Sequence, residues 1–192
     1  MILTSKEALN MLENAKGKTK CDGWIYHSIS VGNCAYIIAE ALNLDKDKAR
    51  ALGYIHDIGK LIKFTSHPMK GYEYLKELGY DDEYCNICLT HSYLNNDYKC
   101  VAGGIPDDIP FRTNFIKNHE YTIYDKLINL CDLMNTKYPV TLEKRLIDLI
   151  TRYGVFENTV YHINEAQKLK KYFDDLLGYN LYDLFPDIKN NL

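Results

Sequence analysis

Apolar residues recur at helical intervals along almost the whole chain. No convincing segment alternates apolar and polar residues, which is the pattern of a half-buried strand. The spacing therefore predicts an all-α protein. At 192 residues the chain is long enough to bury one substantial core but short for two, so we expect a single domain.

The same spacing predicts where the helices lie and which of their faces are buried. Asn95–Asn118 is rich in glycine and proline and predicts a long loop or short turns between the central helices. The two C-terminal helices show no nucleotide or membrane signature, and we interpret them as scaffold. The predicted helices are Lys6–Asn14, one following His27, one capped by Asp45 and ended by Gly59, one starting at Ser66-His67-Pro68, and then Asp81–Tyr93, Tyr121–Thr136, Leu142–Tyr153 and Asn158–Leu177.

Bulk composition excludes several classes of protein. No apolar run approaches the roughly 20 residues that cross a bilayer, so we expect no membrane contact. The N-terminus lacks a basic region followed by an apolar stretch, which predicts a cytoplasmic protein. A formal net charge of -3 and a pI near 6.1 argue against a long nucleic acid as partner and favour a small substrate.

The six cysteines are expected to be reduced thiols in the cytosol. Cys85 and Cys88 have the spacing of a zinc pair, but a structural zinc site usually needs a second close pair, and the other cysteines are scattered. Buried helical cysteines are therefore the favoured interpretation of this pair.

The strongest chemical signal is His56-Asp57-Ile58-Gly59-Lys60, because imidazole and carboxylate followed by glycine and lysine are typical of metal and phosphate sites. Further histidines and an aspartate fall on or beside the inward faces of other predicted helices. Burying several such groups is costly unless they are paired or coordinate metal, so the sequence predicts a metal site. Its candidates are His27, His56, Asp57, His67, His91 and Asp132.

In the order of these residues the chain resembles the HD-domain superfamily of metal-dependent phosphohydrolases, whose pattern is histidine, His-Asp and a distant aspartate. Here these are His27, His56-Asp57 and Asp132. The resemblance covers roughly residues 22–138 and implies one HD domain over residues 1–192, with scaffold helices at about 141–178. His67 and His91 resemble the additional ligands of the subset that binds two metals.

The resemblance implies that two divalent or mixed-valent metal ions are bound. One ion would be held by His27, His56, Asp57 and Asp132, and Asp57 would bridge to a second ion held by His67 and His91. Imidazole and carboxylate donors without thiolate suit iron or manganese, with zinc, cobalt or nickel as further possibilities.

The implied reaction is hydrolysis of a small phosphoester, a nucleotide being the expected substrate. Two metals about 3.5–4 Å apart could hold a bridging hydroxide that attacks phosphorus. Lys60 is expected to bind a phosphoryl oxygen and to offset developing negative charge. Arg112 is a candidate for substrate binding, and His119 is a candidate for the acid that protonates the leaving group.

Several alternatives stay open. After His91 the chain reads Ser92-Tyr93-Leu94-Asn95-Asn96-Asp97, which lacks the second histidine, the glutamate and the Gly-Tyr-Pro loop of HD-type cyclic-dinucleotide phosphodiesterases. Besides cyclic-dinucleotide phosphodiesterases, hydrolases of dinucleoside polyphosphates are a second possible branch of the phosphohydrolases. Two other classes of protein also stay open: HD-type di-iron oxygenases, which the ligand set fits, and regulatory modules that bind a nucleotide without turnover. The sequence leaves the oligomeric state open.

Overall fold

The computed structural model describes residues 1–92, 108 and 110–191, and these residues form an all-α bundle, as the sequence predicts. The only β-type pairing in these ranges is an isolated antiparallel bridge between Asn135 and Pro139. Short 3-10 helices span Ile58–Leu61, Leu181–Leu184 and Pro186–Asn191. The α-helices are α1 (Ser5–Ala15), α2 (Gly23–Ala41), α3 (Lys46–Ile55), α4 (His67–Glu77), α5 (Asp82–Thr90), α6 (Phe111–Asn118), α7 (Ile123–Leu133), α8 (Leu142–Tyr153) and α9 (Thr159–Leu177).

Local side-chain chemistry defines several helix starts. Thr4 and Thr122 each form a capping box, with Glu7 and Asp125 as the respective partners. Asp45 accepts a hydrogen bond from a backbone N–H in the first turn of α3, which confirms its predicted role as a cap. These caps fix where α1, α3 and α7 begin, and α3 and α7 both lead towards the candidate site residues.

Two glycines let α2 and α3 pack closely. A Cβ atom at Gly53 would lie 2.5 Å from the Cα of Gly32, and one at Gly32 would lie 2.3 Å from the Tyr54 ring. Only glycine fits this crossing. The close approach brings His27 of α2 and His56 at the end of α3 within 5.3 Å, measured between ring centroids.

A second glycine pair joins the Ile58–Leu61 turn to α4. A Cβ atom at Gly59 would lie 2.0 Å from the carbonyl oxygen of His67 and 2.4 Å from the backbone nitrogen of Gly71. This contact holds the start of α4 against the residues that follow Asp57.

The structure corrects three of the predicted elements. Helix α3 ends at Ile55, and Gly59 lies inside a 3-10 helix instead of ending α3. Helix α2 begins at Gly23, so His27 lies within it. Residues 111–118 form helix α6, within the segment predicted as a loop, while residues 93–107 and 109 of that prediction lie outside the described residues.

Helices α8 and α9 share the core of the other helices. Their buried apolar side chains belong to the same cluster as those of α2, α3 and α7. Cys85 and Cys88 are both buried in α5, which confirms the interpretation of buried helical cysteines. None of the helices in the described ranges is long and apolar enough to cross a membrane.

Candidate metal centre

The structure brings the six predicted metal ligands together from separate elements. His27 lies in α2 and Asp132 near the end of α7. The remaining four lie at element ends, where the chain turns: His56 caps α3, Asp57 precedes the 3-10 helix, His67 begins α4 and His91 follows α5.

Asp57 lies at the centre of the group. Its Oδ1 atom is 3.1 Å from His67 Nε2 and 3.7 Å from His91 Nε2, while its Oδ2 atom is 3.5 Å from His56 Nε2. Two sets of three donor atoms result, each with all members within 4.8 Å of one another: His27, His56 and Asp57, and Asp57, His67 and His91. Asp57 therefore offers a different oxygen to each side, as a shared ligand must.

Asp132 extends the first of these sets. Its Oδ1 atom is 2.8 Å from His27 Nε2 and 4.0 Å from His56 Nε2. Two donors that are each about 2.1 Å from one ion, at right angles, lie roughly 3 Å apart. The spacing of His27 and Asp132 is thus compatible with neighbouring positions around one ion.

All four histidines are oriented by the backbone. Each Nδ1 atom lies within hydrogen-bond distance of a carbonyl oxygen, which can only accept, so Nδ1 carries the proton and donates it. The Nε2 lone pairs are left to face the centre, in the neutral tautomer that a metal ion requires. The pairs are His27 with Thr136 (2.9 Å), His56 with Gly53 (2.7 Å), His67 with Phe64 (2.9 Å) and His91 with Ile87 (3.2 Å).

The surroundings of His56 show that these residues are suited to binding a metal ion. Its side chain is fully buried, and its Nε2 atom has no hydrogen-bond partner within the part of the chain that the structure describes. A buried polar atom without a partner is costly, and coordination to a cation would satisfy it. Nitrogen and oxygen donors without thiolate are the ligands of divalent first-row metals, so the residues present fit such ions.

The electrostatics keep the carboxylates ionised. Burial alone raises the pKa of Asp57, but the charges of Lys60, His56 and His67 outweigh it and hold the pKa well below the usual range. Burial likewise raises the pKa of Asp132. When no metal ion is bound and His27 is protonated at both nitrogens, its hydrogen bond and charge lower the pKa of Asp132 by more than burial raises it.

The buried imidazoles shift towards the neutral form. Burial, together with the nearby His56, lowers the pKa of His91 to about 3, although Asp57 opposes the shift. Burial also lowers the pKa of His56. Ionised carboxylates and neutral imidazoles are the protonation states that bind metal at neutral pH.

The centre forms one wall of a cavity of about 440 Å³. Lys60 lines this cavity and contacts the Oδ2 atom of Asp57 through its ammonium group. The sequence predicts this position for Lys60. The wall beyond the centre includes Trp24, Phe64, Lys137, Arg145, Arg152 and Tyr153.

Two residues considered for substrate contact lie elsewhere. Arg112 is buried in α6, where its Nε atom is 2.9 Å from Asp108, and it does not line the cavity. His119 has its Nε2 atom 3.3 Å from Asp125 and faces a different cavity. The prediction that Arg112 binds substrate therefore has no support from the position of its side chain.

Sequence reasoning missed the contribution of α8, which it assigned to scaffold. Arg145, Leu149, Arg152 and Tyr153 of this helix all line the cavity. Their i, i+4, i+7, i+8 spacing marks one helical face and is visible in the sequence. The direction in which that face points depends on tertiary packing.

Comparison with known proteins adds a family and several partial relatives. The sequence model of the HD domain family matches residues 24–150. Ribonuclease Y of Fervidobacterium nodosum is 36% identical over 89 residues, which are 44% of this chain and 17% of that protein. Ribonuclease Y of Pseudothermotoga lettingae is 38% identical over 68 residues, 34% of this chain and 13% of that protein. The match thus spans less than a fifth of either ribonuclease.

Among solved structures, the HD domain of the phosphodiesterase PgpH of L. monocytogenes is similar, with a TM-score of 0.49 and 18% sequence identity. The match covers 88% of this chain and 95% of that one.

Proposed function

The chain belongs to the HD-domain family of metal-dependent phosphohydrolases, and we propose that it hydrolyses a small phosphoester, in the simplest case a nucleotide. One observation carries the proposal: two sets of metal donors share Asp57 on the wall of a cavity that Lys60 also lines. The partial relatives are ribonucleases by name, which supports an ester within a nucleotide as the substrate class.

In the proposed reaction, metal ions at the two donor sets would lower the pKa of a water molecule and offset negative charge on the phosphoryl group. The chain's own residues fix the geometry. Backbone carbonyls hold the four imidazoles in one tautomer, and Asp57 orients the ammonium group of Lys60 towards the cavity. Lys60 would then bind a phosphoryl oxygen of the substrate.

Two ions per chain, iron or manganese as the native metal, and a cytoplasmic location are parts of the same proposal. The shared carboxylate supports the first part, because Asp57 presents one oxygen to each set of imidazoles. The donor chemistry supports the second, since none of the six ligands is a thiolate.

The test combines metal analysis with an assay free of oxygen. Protein purified anaerobically is expected to contain two metal ions per chain by mass spectrometry and to release phosphate or nucleotide from mono- or dinucleotides. Asp57→Ala removes the shared ligand and is expected to lose at least one ion and ~10²-fold or more of the activity. Asp175→Ala is the matched control, because Asp175 is an exposed carboxylate of α9 paired with Lys171.

Several outcomes would contradict the proposal. If Asp57→Ala kept both ions, the ligand assignment would be wrong. Oxygen consumption with reduced iron and no hydrolysis would indicate an oxygenase. Stabilisation by nucleotides without any product would indicate a regulatory module.

A further inference from the structure

One face of α8 forms a basic stripe along the cavity. Arg145, Leu149, Arg152 and Tyr153 occupy this face, and all four line the cavity that the metal centre also borders. Arg145 and Arg152 are seven residues apart, which corresponds to about 10 Å along a helix axis. The stripe thus extends the site well beyond the space of a single phosphoryl group.

Asp148 holds the two arginines in place. Its Oδ2 atom is 2.9 Å from Nη1 of Arg145 and also contacts Nη2 of Arg152. Burial raises the pKa of Asp148, but the hydrogen bonds and charges of both arginines lower it by more, so the carboxylate stays ionised. One carboxylate therefore positions two guanidinium groups, and with Lys137 this part of the cavity has more cationic than anionic groups.

The arginines retain hydrogen-bonding capacity. A guanidinium group has five N–H donors, and the bond to Asp148 occupies one of them on each arginine. The Nε atom of Arg145 is buried and has no acceptor in residues 1–92, 108 and 110–191.

We propose that Arg145 and Arg152 bind a second phosphate of the substrate, distinct from the phosphate that is hydrolysed. This inference rests on the proposed phosphohydrolase function and narrows its substrate to a small nucleotide with at least two phosphates. Guanidinium groups match the geometry of phosphate oxygens and bind them through paired hydrogen bonds. Tyr153, which is 64% exposed beside Arg152, offers a ring on which the neighbouring base stacks.

A pair of substrates that differ by one phosphate tests the inference. The dinucleotide pApA carries a 5′-phosphate that ApA lacks, and the ester to be cleaved is the same. Metal-loaded wild-type protein is expected to have a kcat/KM at least about tenfold higher for pApA, since a charged phosphate contact of this kind is worth roughly that factor. Arg152→Gln and Arg145→Gln are expected to reduce this ratio towards one.

Lys171→Gln is the matched control, because it also removes one cation but lies on the exposed face of α9, paired with Asp175. It is expected to keep the wild-type ratio. Thermal melting of each variant establishes that it folds. An unchanged ratio in folded Arg152→Gln and Arg145→Gln would overturn the inference.

A binding assay distinguishes failure of this inference from failure of the proposed function. Calorimetry would use metal-loaded protein with analogues of pApA and ApA in which a methylene group replaces the oxygen of the ester. A preference for the pApA analogue that both arginine variants lose supports the second-phosphate site, even if no substrate is hydrolysed and the proposed function fails. Hydrolysis with no arginine-dependent preference in either assay supports the proposed function and overturns the second-phosphate site.

Discussion

Not every buried histidine of this chain belongs to the metal centre. His162 of α9 is only 4% exposed, and α9 packs against α7, the helix that carries Asp132. Burial lowers the pKa of His162 to about 4, while the charge of Asp132 opposes the shift. His162 is therefore a neutral core side chain at neutral pH, and its protonation should affect the stability of the fold.

The pH dependence of stability follows from that shift. Well above pH 6.5, the ordinary pKa of histidine, His162 is neutral in both the folded and the unfolded chain and has almost no effect. As the pH falls towards 4, the unfolded chain gains a proton that the folded chain does not accept. Between pH 7.5 and 5.0 this histidine is expected to lower the free energy of unfolding by up to about 2 kcal/mol.

Urea unfolding of wild type and His162→Gln at the two pH values checks this prediction. The other titrating groups are common to both proteins, and those that do not interact with His162 cancel in the comparison; Asp132, whose charge acts on His162, contributes to the measured difference. The stability advantage of wild type over the variant should shrink by that amount at pH 5.0. A difference that is the same at both pH values would show that His162 does not titrate as its burial requires.

At the level of elements, the helices with clear local signals were predicted closely. The predicted helix Leu142–Tyr153 coincides with α8, and α9 begins one residue after the predicted Asn158. Gly59 was predicted to end α3 because glycine commonly does so. Its actual role is tertiary, since it allows the Ile58–Leu61 turn to touch α4, and no local pattern reveals that contact.

Gly59→Ala tests what this contact contributes. The added Cβ atom would lie 2.0 Å from the carbonyl oxygen of His67, so α4 has to move and takes His67 away from Asp57. We expect the free energy of unfolding to fall by about 3 kcal/mol. We also expect more than about tenfold weaker binding of the second proposed ion, whose donors would be Asp57, His67 and His91, measured by metal titration.

Gly32→Ala is the control for overpacking at a site away from His67. Its Cβ atom would lie 2.3 Å from the Tyr54 ring, at the crossing of α2 and α3, and so produces a comparable clash. This variant should lose stability without selective loss of the second ion. If both variants bound two ions with equal affinity, the Gly59 contact would not position His67.

For the whole molecule, the sequence indicated which ionisable side chains lie together better than it indicated which side chains line the cavity. Six ionisable groups on or beside inward faces were recognised because burying several such groups is costly unless they are paired or bind metal. The structure brings five of them together around Asp57, and Asp132 lies 2.8 Å from His27. Arg145 and Arg152 could not be assigned in this way. Charged residues on an amphipathic helix look the same whether they face solvent or a binding cavity, and only the packing of α8 distinguishes the two.

The packing of α9 bears on the prediction that the chain is a single domain. Phe173 of α9 is fully buried in the same cluster as the apolar residues of α2 and α7. If the chain unfolds as one unit, Phe173→Ala should lower the free energy of unfolding of the whole chain by about 3–5 kcal/mol. A probe beside the metal centre should detect the same loss of stability, although the substitution lies in the segment that the sequence assigns to scaffold.

Two probes report on different parts of the molecule and decide the question. The single tryptophan, Trp24, lines the cavity beside the metal centre, so its fluorescence follows that region, whereas circular dichroism follows all helices. In a single cooperative domain both signals shift to the same lower urea midpoint in Phe173→Ala. A Trp24 transition that stays at the wild-type midpoint while the helical signal is lost earlier would show that α8 and α9 unfold separately. The arginines of α8 would then belong to a unit that can detach from the metal centre.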